Sequence, residues 1–145
     1  EMCIRDSDTP QWAKGAVMYQ IFVDRFCNGD PTNDVEDREY FYIGDMTSRV
    51  RDWGKVPAVM GVREFYGGDL QGIMDKLDYL QDLGVDVIYL TPIFVSPSNH
   101  KYDIQDYEYV DPHYGKIVED YINPGFEEKY GRESKKDNAN PIDQG

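Results

Sequence analysis

Long apolar runs are missing from this chain: no stretch approaches the ~20 consecutive apolar residues of a membrane span, so no membrane role is expected. Basic residues are also scarce, with 15 Lys and Arg against 28 Asp and Glu and a formal net charge of −13. A nucleic-acid binder needs a basic face to displace counterions, so that partner is excluded too. The only cysteines are Cys3 and Cys27. Two are far too few for a disulfide scaffold, and both are expected to be free thiols. Internal repeats and low-complexity tracts are lacking. Residues 1–8 carry charges and no apolar core, so they do not read as a signal peptide. This leaves the compartment open and tilts it towards the cytoplasm. Residues 1–9 fit nothing that follows and are read as a leader, foreign or truncated.

What is present is a globular composition of 145 residues, 40% hydrophobic and 30% charged, long enough for one domain with a core. The acidity reads either as solubility or as carboxylates gathered around a cation. Residues 16–23 (Ala-Val-Met-Tyr-Gln-Ile-Phe-Val) form a short apolar run between Gly15 and Asp24, the pattern of a strand buried on both faces. Residues 24–68 are polar and rich in Asp, Asn, Gly and Pro; a loop this long is unusual in a compact domain and needs something to tie it down. Leu70, Ile73, Met74, Leu77 and Leu80 then recur at helical spacing, which predicts a helix over 69–83 with Asp69 as N-cap and Gly84 as its left-handed stop. Residues 85–90 read as a second strand. Strand, helix and strand in that order predict a parallel βαβ unit. Two strands and one helix do not close an architecture, because parallel pairs occur almost only with both faces covered.

Three clusters carry chemistry. Asn28-Gly29-Asp30-Pro31-Thr32-Asn33-Asp34 groups side-chain oxygens in one loop, which suits a hard cation and equally suits an Asx-rich turn. An EF-hand is rejected: the position-6 glycine is replaced by Asn33, and the preceding residues read as strand. Phe65-Tyr66-Gly67-Gly68-Asp69-Leu70-Gln71-Gly72 resembles a phosphate loop, but its glycines are misplaced for G-x-G-x-x-G and no G-K-[ST] follows. A strand-like approach to a helix cap explains it in part. The third cluster runs from Ser96 through His100-Lys101-Tyr102-Asp103 and Asp106-Tyr107 to Asp111-Pro112-His113-Tyr114-Gly115, just past the second strand. That end of a parallel sheet is where ligands bind, and aromatic faces beside short polar groups suit a sugar.

In order and spacing these segments resemble the alpha-amylase family of glycoside hydrolases (family 13). The resemblance rests on Met18 to Phe26, Asn28 to Asn33, Tyr66 to Gly72, Gly84 to Pro92 and His100 to Asp103. It is nearest to the neopullulanase and cyclomaltodextrinase group, with cyclodextrin glucanotransferases close by. It implies an α/β fold: the first part of a (β/α)8 TIM barrel, which runs to about 250 residues or more. Residues 10–118 would be the N-terminal part of the catalytic barrel, and 119–145 a polar insertion or a truncated end. By position, Asn28, Asp30, Asn33, Asp34, Gly67 (through its carbonyl) and Asp69 match ligands of a calcium ion. His100 and Tyr102 match a pair that binds substrate, the His through hydroxyls and the Tyr by stacking. Asp103 and Asp106 match structural positions.

The implied reaction is retaining cleavage of α-glucosidic bonds in α-glucans, maltooligosaccharides or cyclodextrins. It uses an Asp nucleophile, a Glu acid/base and a second Asp, all on later strands. No catalytic residue is therefore expected within this chain, and by itself it should be inactive; the resemblance also allows a homodimeric parent. The competing reading is a stand-alone calcium-dependent glycan-binding module.

Overall fold

A computed structural model describes residues 9–59 and 61–115. Residues 1–8 of the expected leader and the segment 119–145 lie outside the described residues, as do Cys3 and the expected boundary at 118. Eight short strands appear among them: β1 (Met18–Ile21), β2 (Phe41–Tyr42), β3 (Asp45–Met46), β4 (Ser48–Arg49), β5 (Glu64–Phe65), β6 (Val87–Leu90), β7 (Phe94–Val95) and β8 (Asp106–Val110). Two helices, α1 (Leu70–Met74) and α2 (Leu77–Asp82), lie between β5 and β6.

The expected βαβ unit is present. β1 and β6 pair in parallel, with Met18 opposite Val87 and Ile21 opposite Leu90. Ile21, Val23, Ile73, Leu80 and Tyr114 form the buried core beneath them, with Leu70, Val85, Ile88 and Leu90 packed alongside. The chain enters α1 from Asp69, whose carboxylate accepts the Gly72 N–H at 2.6 Å. It leaves α2 at Gly84, where φ is +82°.

Three expectations need correction. The helix over 69–83 is two helices, because Lys76 departs from helical geometry (φ −107°, ψ 8°) and interrupts the ladder. The apolar stripe does not carry through that break: Ile73 and Leu80 are buried, whereas Met74 and Leu77 are exposed. The first strand, read as buried on both faces, has Ile21 as its one buried residue. Among the described residues it has a single strand partner, so Val17 and Met18 stay in solvent.

The long polar stretch holds structure of its own. β2 and β3 form a tight hairpin through Ile43 and Gly44, both at positive φ as such two-residue turns require. β4 pairs with β5 in parallel, and Val35, Tyr40 and Phe65 make a small second core. Past β6, antiparallel β7 and β8 shape the third cluster, where the sequence shows no strand pattern.

Candidate functional site

Two carboxylates tie the polar loop down at its ends. Asp24, just past β1 and almost fully buried, accepts the Tyr66 N–H at 3.1 Å and the Gly67 N–H at 3.2 Å. Burial pushes its pKa up to about 6, against the opposing pull of those N–H groups and of Lys101 and Arg25. Asp69 is wholly buried and accepts four donors: Gly29 N–H at 3.0 Å, Asp30 N–H at 2.8 Å, Gly72 N–H at 2.6 Å and Asn33 Nδ2 at 3.2 Å. It is helix cap and loop clamp at once. The two backbones lie so close that a Cβ on Gly29 would sit 2.3 Å from Gly72 N, which only glycine permits.

Of the six residues matched to calcium, Asn28, Asp34 and Gly67 meet in one group, and Asp69 holds Asn33 and the Asp30 N–H in another. Asn28 Nδ2 donates to Asp34 Oδ1 at 2.6 Å, and Gly67 (φ +81°) faces the same pair, since a Cβ on it would fall 2.3 Å from Asp34 Oδ1. Asp30 Oδ1 turns onto the loop itself, accepting Thr32 N–H at 3.1 Å and Thr32 Oγ1 at 2.6 Å. Arg49 pairs with Asp34. Burial raises the Asp34 pKa, with Asp69 and Glu36 adding and Arg49 and Asn28 opposing.

The donor chemistry suits a hard cation. Asn28 Oδ1 and Asn33 Oδ1 are buried and accept no hydrogen bond within the structure. Orphaned buried acceptors are costly, and amide and carbonyl oxygens are what calcium takes. Among the described residues no three Asp, Glu, His or Cys side chains gather into a metal cluster, so a cation here would depend on the amides and a backbone carbonyl. The four donors Asp69 already holds fill the about four lone-pair positions of its two oxygens, so it would serve a cation only by giving up one of them.

The second site lies past β6. The chain turns through Thr91, whose N–H donates to Ile21 O at 2.9 Å, and the β7–β8 hairpin holds residues 96–105 as a loop. His100 and Tyr102 stand side by side there, ring centroids 6.0 Å apart and 30° from parallel. Tyr102 is 61% exposed. His100 Nδ1 accepts the Tyr102 N–H at 3.1 Å, which leaves the ring proton of the neutral form on Nε2. Asp103, expected to be structural, accepts Ser96 Oγ at 2.7 Å and also Ser98 Oγ.

Beneath this loop is a network that sequence reasoning missed. Lys101 is buried, at φ +54°. Its Nζ donates to Asp111 Oδ2 at 2.8 Å and Ser96 O at 3.0 Å, and lies 4.7 Å from the Tyr114 ring centre. Burial alone would raise the Asp111 pKa, but the charges of Lys101 and His113 and the hydrogen bonds hold it below the ordinary value. His113 connects the two sites: Nδ1 is 2.6 Å from Asn33 O and Nε2 is 2.8 Å from Tyr40 Oη. A lysine between His100 and Tyr102 gives no sign in the sequence of pointing inward. Tyr42, also missed, comes from the distant β2 hairpin.

Comparison with known proteins matches residues 20–121 to the family described as alpha amylase, catalytic domain. A cyclomaltodextrinase of Thermoanaerobacter pseudethanolicus is 50% identical over 106 residues, covering 73% of this chain and 16% of that protein. Neopullulanase 2 of Thermoactinomyces vulgaris is 50% identical over 109 residues, covering 75% and 16%. Among solved structures, the cyclic alpha-maltosyl-(1→6)-maltose hydrolase of Arthrobacter globiformis, in complex with cyclic alpha-maltosyl-(1→6)-maltose, aligns with a TM-score of 0.61 at 42% identity. That alignment covers 74% of this chain and 21% of the other. The chain thus spans about one sixth of the length of these curated relatives.

Proposed function

Because the chain belongs to the alpha-amylase family, and its parallel β1–β6 pair with the helices between is the opening of an α/β barrel, we propose that it forms the first part of a longer glycoside hydrolase acting on α-glucans. The substrates we propose are maltooligosaccharides, cyclodextrins or pullulan, supported by the names of the cyclomaltodextrinase and neopullulanase relatives.

One observation carries this reading. His100 and Tyr102 are adjacent, just past the C-terminal end of β6, the face of an α/β barrel where active sites are built. The exposed Tyr102 ring offers an apolar face to the CH patches of a sugar, and His100 offers its Nε2–H to a hydroxyl. Retaining cleavage needs a nucleophilic carboxylate and a carboxyl acid/base about 5 Å apart. The buried carboxylates here have other work: Asp111 pairs with Lys101, Asp34 pairs with Arg49, and Asp24 and Asp69 hold backbone N–H groups, while half-buried Asp103 holds two serines. We assign none of them to catalysis, and the chain alone is expected to be inactive.

The loop joining β1 to α1 is proposed to hold calcium through Asn28, Asp30, Asn33, Asp34, the Gly67 carbonyl and Asp69. The two orphaned amide oxygens support this. Calcium bound there would supply a fixed positive centre that fastens both ends of the loop. Ordering a residue's backbone costs roughly 1–2 kcal/mol, so such a fastening suits a long polar segment. The residues themselves clamp the loop through Asp69 and present its far portion to the sugar-facing wall.

The test is turnover of maltooligosaccharides, pullulan and cyclodextrins by the full-length protein that carries this sequence, with the first-formed anomer read by proton NMR. Cleavage releasing the α-anomer is expected. Inverted product, or no turnover of any of the three, would defeat the reading.

A further inference from the structure

The polar stretch also delivers an aromatic hydroxyl to the sugar-facing wall. Tyr42 is the inward residue of β2, buried although it sits on a surface hairpin. Its Oη lies 3.4 Å from His100 Nε2, and the two rings meet edge to face with centroids 6.5 Å apart. Asp103 and Ser98 lie beside the same hydroxyl, close enough for the Asp103 charge to act on it.

The direction of these bonds follows from the donors. His100 Nδ1 is occupied by the Tyr102 N–H, so Nε2 carries the proton and points it at Tyr42 Oη. Tyr42 Oη therefore accepts from His100, which leaves its own proton free to turn towards the neighbouring Asp103 carboxylate, an acceptor only. Burial first, and then the negative charge of Asp103, push the Tyr42 pKa up to about 12, which keeps the hydroxyl a donor. Asp103 is itself fixed by Ser96 and Ser98. The His100 ring is therefore held at both nitrogens, by its own loop at one and by a hairpin 58 residues away at the other.

We propose that Tyr42 is a positioning residue that sets the orientation in which His100 offers its Nε2–H to a sugar hydroxyl. The proposal rests on the reading of His100 as a sugar contact. At 3.4 Å the Tyr42 contact is long for a hydrogen bond, so it steers the ring without committing the proton. A hydroxyl placed at better geometry can take it.

Tyr42→Phe in the full-length protein keeps the ring and removes the hydroxyl. Two readouts are expected to move. Carbon relaxation at His100 Cε1 should show a lower order parameter in the variant. The kcat/KM for a maltooligosaccharide should fall roughly tenfold, and Tyr42→Phe combined with His100→Asn should be no worse than His100→Asn alone. A role confined to holding the hairpin would leave the His100 ring unchanged and give additive losses, and either result overturns the proposal. Should Tyr42→Phe fail to fold, Asp103→Asn removes the negative charge beside the Tyr42 hydroxyl. It is expected to loosen the His100 ring likewise, and an unchanged ring there overturns the proposal too. If the wild-type protein turns over no α-glucan, the sugar-contact reading fails by itself, and the relaxation data alone decide whether Tyr42 holds His100.

Discussion

Lys101→Met probes the buried base of the sugar-facing loop. The side chains of Lys101 and Asp111 are 1% and 3% exposed and meet at 2.8 Å. Removing the ammonium strands the carboxylate inside the protein, and breaking a buried pair in this way costs about 3–5 kcal/mol. Whole domains are stable by only about 5–15 kcal/mol, so the single change should remove a large share of the total. Methionine keeps the length of the side chain, and the strained backbone at φ +54° is common to both proteins. The loss measured is therefore that of the charge.

The companion variant, Lys101→Met with Asp111→Asn, removes both charges and leaves one side-chain oxygen to accept the His113 N–H seen at 2.9 Å. It should regain more than half of the deficit. The pH dependence has a definite sign. Asp111 titrates below its ordinary value when folded, so in the wild type its contribution is present above about pH 4 and is lost as pH falls through the lower, folded pKa. In Lys101→Met the stranded carboxyl titrates high, and the deficit should shrink as pH falls from 7 towards about 4. Urea denaturation of the full-length protein at several pH values measures all of this. A deficit under about 1 kcal/mol, the scale of a surface pair, would refute the reasoning. So would a deficit that does not change with pH.

Asp69→Ala removes a helix cap worth about 1 kcal/mol, together with the acceptor for the Gly29 and Asp30 N–H groups. A loss of about 2–3 kcal/mol in chemical denaturation is expected; a loss confined to the cap would show that the clamp contributes nothing. Calorimetry should find calcium binding to the full-length protein, weakened roughly tenfold or more in Asn28→Ala, since losing a direct ligand should cost no less than losing an outer one. Equal affinity in the variant, or no binding by a folded wild type, would remove the calcium assignment.

The parallel βαβ unit was legible because apolar runs, helical spacing and a cap–glycine pair all point one way. The family resemblance singled out Asn28, Asp30, Asn33, Asp34, Gly67 and Asp69 as calcium ligands; the residues alone left a turn and a cation site equally open. The break at Lys76 was not legible, because the apolar period continues through it in the sequence. Nor were β7 and β8, whose residues lack clear alternation and are held by pairing across the 96–105 loop. Tyr42 escaped notice, and Lys101 and Asp111 were placed in the third cluster without their inward roles, for a common reason. Each matters through a partner distant in the chain or through an inward turn of an ordinarily exposed residue type, and neither leaves a local pattern.

The measurement closest to the central claim is kcat/KM for a maltooligosaccharide in the full-length protein, wild type against Tyr102→Ala, with melting temperatures alongside. Tyr102 is 61% exposed, so removal of its ring should leave stability nearly unchanged. If it forms part of the sugar cleft, kcat/KM should fall about tenfold, the equivalent of about 1.4 kcal/mol and the scale of a lost aromatic contact. Equal kcat/KM in the two proteins would contradict the account.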